Sequence, residues 1–404
     1  MKSVKKFVVW LLSAVITGAI CGICGVIFSK SVGFVTELRA HNPWILYLLP
    51  LAGVLSVVIY KLLKVKNIGA VNVFNSARSE EDLPKGLAPA VLAGTVLSHF
   101  FGASVGREGA ALQIGGGVAN VIGRVFKFDE TLRRVSIMCG MAALFSAVFG
   151  TPLAACAFII EVVMTDLSLM AIVPILASSY AAYFVATNLG IAPERFAVGV
   201  MPSFNLDVAL KTVLITAACI IVGYIFCKGL SIFKDAAKKA FKNEYIRMAV
   251  GGIITIILTL IVANYEYNGS GIEIIAHTFE AGTVRYEAFA LKILFTVICV
   301  AAGYKGGEII PTLFIGATLG ATVASLVGIP LGFGAAVGMA VLFCAATKCP
   351  VATVLLACEM FGFEHWIYLA PIVLVTFFIA RYKGLYNNPR NVFVLIKEHT
   401  NKKA

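Results

Sequence analysis

Residues 140–152 read GMAALFSAVFGTP, and residues 338–350 read GMAVLFCAATKCP. Seven of these 13 positions match without a gap, and the copies stand 198 residues apart. The likeness runs past the prolines, since Glu161 follows Pro152 by nine residues and Glu359 follows Pro350 by nine. Upstream, GRE at 106–108 is answered by GGE at 306–308, 200 residues later. The chain therefore reads as one unit used twice, residues 1–195 and then 196–404. An odd number of membrane crossings per unit sets the copies upside down. Inverted repeats place a binding site near the bilayer midplane, where discontinuous helices meet.

The membrane follows from composition. Of 404 residues, 60% are hydrophobic and only 13% charged, with a mean hydropathy of +0.93. A soluble domain carries roughly 25% charged residues, so this is an all-α, multi-pass membrane protein. Residues 7–29 contain no charge and are long enough to span. That run is also too long for a signal-peptide core and no clear cleavage site follows, so it is expected to be a retained first helix. The net charge of +12 sits in short basic clusters at 2–6, 61–66, 124–134, 228–247 and 381–403. This is the positive-inside pattern, which predicts cytoplasmic loops and cytoplasmic termini rather than a nucleic-acid surface. Trp10, Trp44 and Trp366 fall near segment ends, where interfacial anchors are expected. The ten cysteines, including the C-x-x-C of Cys21 and Cys24, lie mainly in apolar runs and read as small apolar residues. The five histidines show no ligand spacing, so neither metal nor cofactor is expected. Only 18 residues follow Tyr386, too few for a cytoplasmic regulatory domain.

Glycine-rich stretches at 102–109, 115–117, 303–307 and 316–320 predict broken helices. With a helix starting at Gly106 and another near Gly306, two sets of unpartnered N–H groups and two positive dipole ends face each other at the midplane. Such a place binds an anion without trapping it on a full cation. Glu108 has a use there, because its carboxylate can occupy the same amides as a substrate anion. Protonation would release it, which couples anion movement to proton movement. The bland alternative is a structural ion pair of Arg107 with Glu108. Neighbouring helical residues do not face each other, so Arg107 is expected to find another partner. An intramembrane enzyme would need a nucleophile and base or a metal set, and the chain has no HExxH motif, no paired aspartates in apolar segments and no histidine cluster.

These residues carry a family resemblance. GREGAALQIG at 106–115 resembles the GREGPxxQxG signature of the CLC family of chloride channels and halide/proton antiporters. GTPLAACAFIIE at 150–161, GGEIIPTLFIGATLG at 306–320 and RYKGLY at 381–386 are similar to that family's later segments, in order and at the expected spacing. The resemblance implies two inverted halves of tilted, broken helices and a homodimer with one pathway per subunit in a bacterial inner membrane. It implies Glu108 as the external gating glutamate. Anion-binding amides would lie at Gly106, Arg107 and Gly109, and in the second half near Glu308 at Ile309 and Ile310, with Tyr386 donating its hydroxyl. Gly69, in the place of the family's first signature, is carried over as an anion-binding position.

The departures point within the family. Where GSGIP is expected, residues 67–71 read NIGAV, without the serine; GSGIE at 269–273 is the second-half counterpart and does not replace it. Proton-coupled chloride exchangers carry a second acid directly after the helix glutamate, but Val162 follows Glu161. Glu308 instead supplies an acid within the second GG segment, which resembles the fluoride/proton antiporter branch and makes Glu308 the candidate second proton-linked or halide-linked carboxylate. That branch usually has threonine two residues later, where this chain has Ile310. The expected partners are protons and a halide, fluoride or chloride, with a passive voltage- or pH-gated chloride channel as the other reading. Glu161 and Glu359 are expected to satisfy backbone donors, and Lys348, standing where the first half has Gly150, is a candidate for lining an entrance.

Overall fold

Apolar runs punctuated by glycine and proline fold into helices of very unequal length. The computed structural model describes residues 2–66, 69–79, 82–165, 168–203, 205–280 and 283–386. Asn67 and Ile68 of the altered first signature, and the basic tail 387–404, lie outside the described residues. The first eight helices are α1 (Lys2–His41), α2 (Leu49–Leu62), α3 (Ala70–Arg78), α4 (Leu87–Phe100), α5 (Glu108–Val125), α6 (Glu130–Phe149), α7 (Pro152–Val163) and α8 (Ser168–Asn188). The second eight are α9 (Leu206–Ala240), α10 (Glu244–Val262), α11 (Ile272–Glu280), α12 (Ala288–Ala302), α13 (Ile309–Val327), α14 (Leu331–Thr347), α15 (Pro350–Phe361) and α16 (Trp366–Ile379). Among the described residues there is no strand, and seven helices are long and apolar enough to cross a membrane. Helices α1, α9 and α10 turn leucine, isoleucine and valine side chains such as Leu12, Ile23, Val213, Ile221 and Ile257 outward, as lipid contact requires.

The repeat is visible element by element. α5 and α13 have 18 and 19 residues, and α7 and α15 have 12 each. Direction follows from two carboxylates near helix C-termini. Glu161 of α7 accepts from the N–H groups of Val351 (3.0 Å) and Ala352 (2.8 Å) at the start of α15. Glu359 of α15 accepts from Leu153 (3.0 Å) and Ala154 (2.8 Å) at the start of α7. Each helix is capped by the other's tail, so the equivalent helices run antiparallel and the halves are inverted. Both acids thus satisfy backbone donors, as their positions suggested. The first helical residue of each is proline, which has no N–H to satisfy.

Two sequence expectations are corrected here. The glycines at 115–117 and 316–320 do not break a helix; they lie inside α5 and α13. A Cβ on Gly115 would stand 2.1 Å from the Gly140 carbonyl oxygen, and one on Gly320 2.1 Å from that of Gly334. They are there so that α5 can lie directly on α6 and α13 on α14, the small-residue contact typical of membrane helices. Trp10 is not a surface anchor, since it is buried in the core, whereas Trp44 and Trp366 are exposed. All ten cysteines are free, and all but Cys24 are buried.

The turn before α4 is fixed by Asp82, which accepts from Arg124, from Arg133 at 3.1 Å and from Asn120 at 3.2 Å. Partial burial acts to raise this carboxyl, but the hydrogen bonds from Arg124 and Asn120 and the two arginine charges outweigh it and hold it below its ordinary value. A depressed acid stabilises the fold above its unfolded value and ceases to as pH falls through its folded one. Because the side chain is half exposed, Asp82→Asn is expected to lower stability at pH 7 by no more than about 1 kcal/mol. Thermal melts of both proteins in detergent should show that gap closing as pH drops below about 4.

Candidate functional site

The stretches before α5 and α13 are the real helix breaks, and they meet. The Gly106 N–H donates to the Gly307 carbonyl (2.6 Å) and the Gly307 N–H to the Gly106 carbonyl (2.7 Å), a single antiparallel bridge between repeat-related turns. Side chains at these positions would prevent it, since a Cβ on Gly307 would fall 2.3 Å from the Gly109 nitrogen. The bridge brings the starts of α5 and α13 together, and their first-turn N–H groups have no intrahelical partner.

It also corrects one assignment. The Gly106 amide is taken by Gly307 and is not available to an anion. The same holds for Gly69, whose N–H donates to the Asn72 side chain at 2.9 Å as α3 begins. In the second half the corresponding turn is fastened by buried Lys292, which donates to the carbonyls of Gly269 (2.8 Å) and Tyr267 (3.3 Å).

Glu108 is fully buried. Its Oε2 accepts from the Arg107 N–H at 3.0 Å, so the carboxylate lies against an amide at the start of its own helix. Its Oε1 is buried without a hydrogen-bond partner, 3.6 Å from the Arg107 Nε. Arg107 makes its closer pair with Glu194, at 2.5 Å, confirming the expectation of a partner other than Glu108. Glu194 escaped sequence reading because it belongs to the irregular segment between α8 and α9 and has no counterpart in the repeat. That segment is tied down by the Glu194 N–H on the Phe149 carbonyl (3.0 Å) and the Phe196 N–H on that of Met360 (2.9 Å).

Glu308 sits differently. It is the residue before the first of α13, and its side chain does not cap the helix. Its carbonyl accepts from the Thr312 N–H (3.0 Å) and hydroxyl (2.7 Å), while the residue itself is partly exposed where Glu108 is sealed. Pro311 removes one donor from this helix start, which leaves the amides of Ile309 and Ile310 at its tip.

Tyr386 comes within electrostatic reach of both acids. Its ring is buried edge-on to Phe74 (5.4 Å between centroids) and Phe158 (5.9 Å), and its hydroxyl has no hydrogen-bond partner. Glu308, Cys349 and Glu108 are near enough to act on it electrostatically. Nothing in the local sequence marks Phe74 and Phe158 as its supports, because they read as ordinary core residues. Two orphaned polar atoms, Glu108 Oε1 and Tyr386 Oη, are thus buried near helix starts whose first-turn N–H groups have no intrahelical partner. Chemically the arrangement can hold a small anion by N–H and O–H donors and can move a proton on and off a carboxylate. Among the described residues no cluster of histidine, cysteine or acidic side chains could hold a metal.

Comparison with known proteins places these features. The family model described as voltage gated chloride channel matches residues 52–381. The chain is 30% identical over 390 residues to a chloride/fluoride channel protein of Pseudomonas syringae pv. tomato, covering 94% of this chain and 86% of that one. It is 26% identical over 403 residues to the H(+)/Cl(-) exchange transporter ClcA of Vibrio vulnificus, covering 91% and 84%. Its fold is similar to the crystal structure of a CLC-type fluoride/proton antiporter, with a TM-score of 0.88, 29% identity and coverage of 94% of this chain and 97% of that one.

Proposed function

The chain belongs to the voltage-gated chloride channel family, and we propose that it exchanges fluoride for protons across the membrane, with Glu108 as the gate. The observation that carries this reading is Glu108 itself: a sealed carboxylate on an amide of its own helix start, beside an unpartnered tyrosine hydroxyl. A carboxylate in that place is a tethered anion. While ionised it excludes a substrate anion from the amides of α5. Once protonated it no longer competes, and the anion takes the amides of Arg107 and Gly109 with those of Ile309 and Ile310 and the Tyr386 hydroxyl. When the anion leaves, Glu108 hands its proton on toward Glu308 and its carboxylate returns to the Arg107 amide. Glu308, partly exposed at the second helix start, carries that proton on to the opposite side.

Fluoride over chloride is supported by the absent serine of the first signature, by the lack of an acid at Val162 and by Glu308. The relatives whose names include fluoride also share 29–30% of their residues with this chain, against 26% for the chloride exchanger. The working unit is a homodimer with one pathway per subunit in a bacterial inner membrane, both termini cytoplasmic, built of residues 1–195 and 196–404 as its two halves.

Purified protein in liposomes loaded with fluoride or chloride, with external pH recorded, tests the proposal. Fluoride leaving with protons entering, and an outward fluoride gradient driving protons uphill, is the expected result. Rapid chloride efflux without proton movement would replace it with a passive channel on the same fold.

A further inference from the structure

The two halves differ at one conspicuous turn. After α6 the chain turns through Gly150 with φ of +74°, and after α14 it turns through Lys348 with φ of +64°. The left-handed conformation suits glycine and opposes a residue with a Cβ. A lysine held there, at the cost of strain, signals a use for its side chain. That side chain reaches the segment leading to Tyr386. Its Nζ donates to the Ala380 carbonyl and stands 3.8 Å above the centre of the Tyr382 ring. Two residues before Lys348, the Ala346 carbonyl accepts from the Leu385 N–H at 2.8 Å. From its far side Tyr382 is held by α9, through its hydroxyl on the Ile220 carbonyl (3.3 Å) and its ring edge-on to Tyr224 (5.4 Å). Residues 380–385 have no helix or strand of their own to fix them. Their course, and with it the place of the next residue, is set by these contacts, two of which belong to Lys348.

We propose that Lys348 is a positioning residue for Tyr386, setting the affinity of the pathway for its anion by clamping residues 380–382 against the turn after α14. This rests on the reading that the Tyr386 hydroxyl faces the anion. Glycine supplies the decisive variant, because it suits the backbone at this turn better than lysine and removes only the clamp. In liposome efflux with fluoride varied, Lys348→Gly should raise the KM for fluoride roughly tenfold, the scale of one hydrogen bond to an anion. Maximal rate should hold, and the melting temperature should hold or rise. Lys348→Arg, which can still donate to Ala380 and stack on Tyr382, should restore a KM near that of the unaltered protein. Tyr386→Phe should raise KM by itself, and adding Lys348→Gly to it should change nothing further. An unaltered KM in Tyr386→Phe would remove the reading on which the proposal stands. A raised KM in Tyr386→Phe with none in Lys348→Gly, or a full additional rise in the double variant, would overturn the role of Lys348 alone. So would a Lys348→Gly protein that melts lower and binds fluoride normally, since the lysine would then be structural only.

Discussion

Glu108→Gln is expected to reduce coupled proton movement by about a hundredfold or more, the scale on which a positioned proton-transfer group acts, while anion flux continues and loses its dependence on pH. The geometry makes glutamine a clean probe at this position. Oε2 accepts from the Arg107 N–H, and a glutamine carbonyl can do the same. Oε1 accepts no hydrogen bond, so the amide NH2 that replaces it breaks none and removes only the longer ion pair with Arg107 Nε at 3.6 Å. Arg107 keeps its shorter pair with Glu194. Folding should therefore change by only about 1 kcal/mol, the net worth of an ordinary polar contact. What disappears is the charge that can alternate with an anion at the helix start. Ion and pH electrodes on the same liposomes separate the two fluxes. Proton movement still tightly coupled to fluoride in the variant would mean that the gate lies elsewhere, and a structural role in the Arg107 pair would be all that Glu108 retains.

How much of this was legible beforehand depends on whether the cause is local. The repeat, the glycine-flanked acids and the two helix starts are local patterns, and the structure shows the acids at two helix starts, which fall at Glu108 and Ile309, two or three residues later than the glycines suggested. The identity of the free amides is not local. Gly106 and Gly69 look as available as Gly109 in the sequence, yet their N–H groups are taken, one by Gly307 two hundred positions away and one by the side chain of Asn72. Glycine is ambiguous for the same reason. At 106 and 307 it permits a break and a backbone bridge, whereas at 115 and 320 it permits two intact helices to touch. Only the neighbour, supplied by the fold, tells the cases apart. Glu194 stayed hidden because it is an acid in an irregular segment, and such a residue acquires meaning only when the chain returns it to Arg107.

The acids at the ends of α7 and α15 predict the opposite outcome from the same chemical change. Glu161 and Glu359 each accept from two backbone N–H groups of the opposing helix, with both oxygens engaged. Glutamine can accept from only one of the two and turns its NH2 toward the other, placing donor against donor. Alanine leaves both donors without their partner, at least one of each pair in a part-buried position. Hydrogen bonds to a charged group contribute about 1.5–3 kcal/mol each and a stranded buried donor costs about 1–3 kcal/mol, so either alanine variant should lose roughly 3 kcal/mol or more. The glutamine variants should fall between these and the unaltered protein. The two caps stand at opposite ends of 12-residue helices. Nine residues of helix separate each proline from its acid, about 13 Å at 1.5 Å per residue, so the losses should add in the double variant. Thermal unfolding of the unaltered protein, the single variants and the double variant in detergent measures this. In liposomes, Glu161→Gln should keep its ratio of protons to fluoride, because its carboxylate is fastened to amides rather than poised beside an anion. A Glu161→Gln protein of unaltered stability that had lost its protons would make this acid a proton carrier. The inverted pairing of α7 with α15 would then be held by packing and not by the two caps.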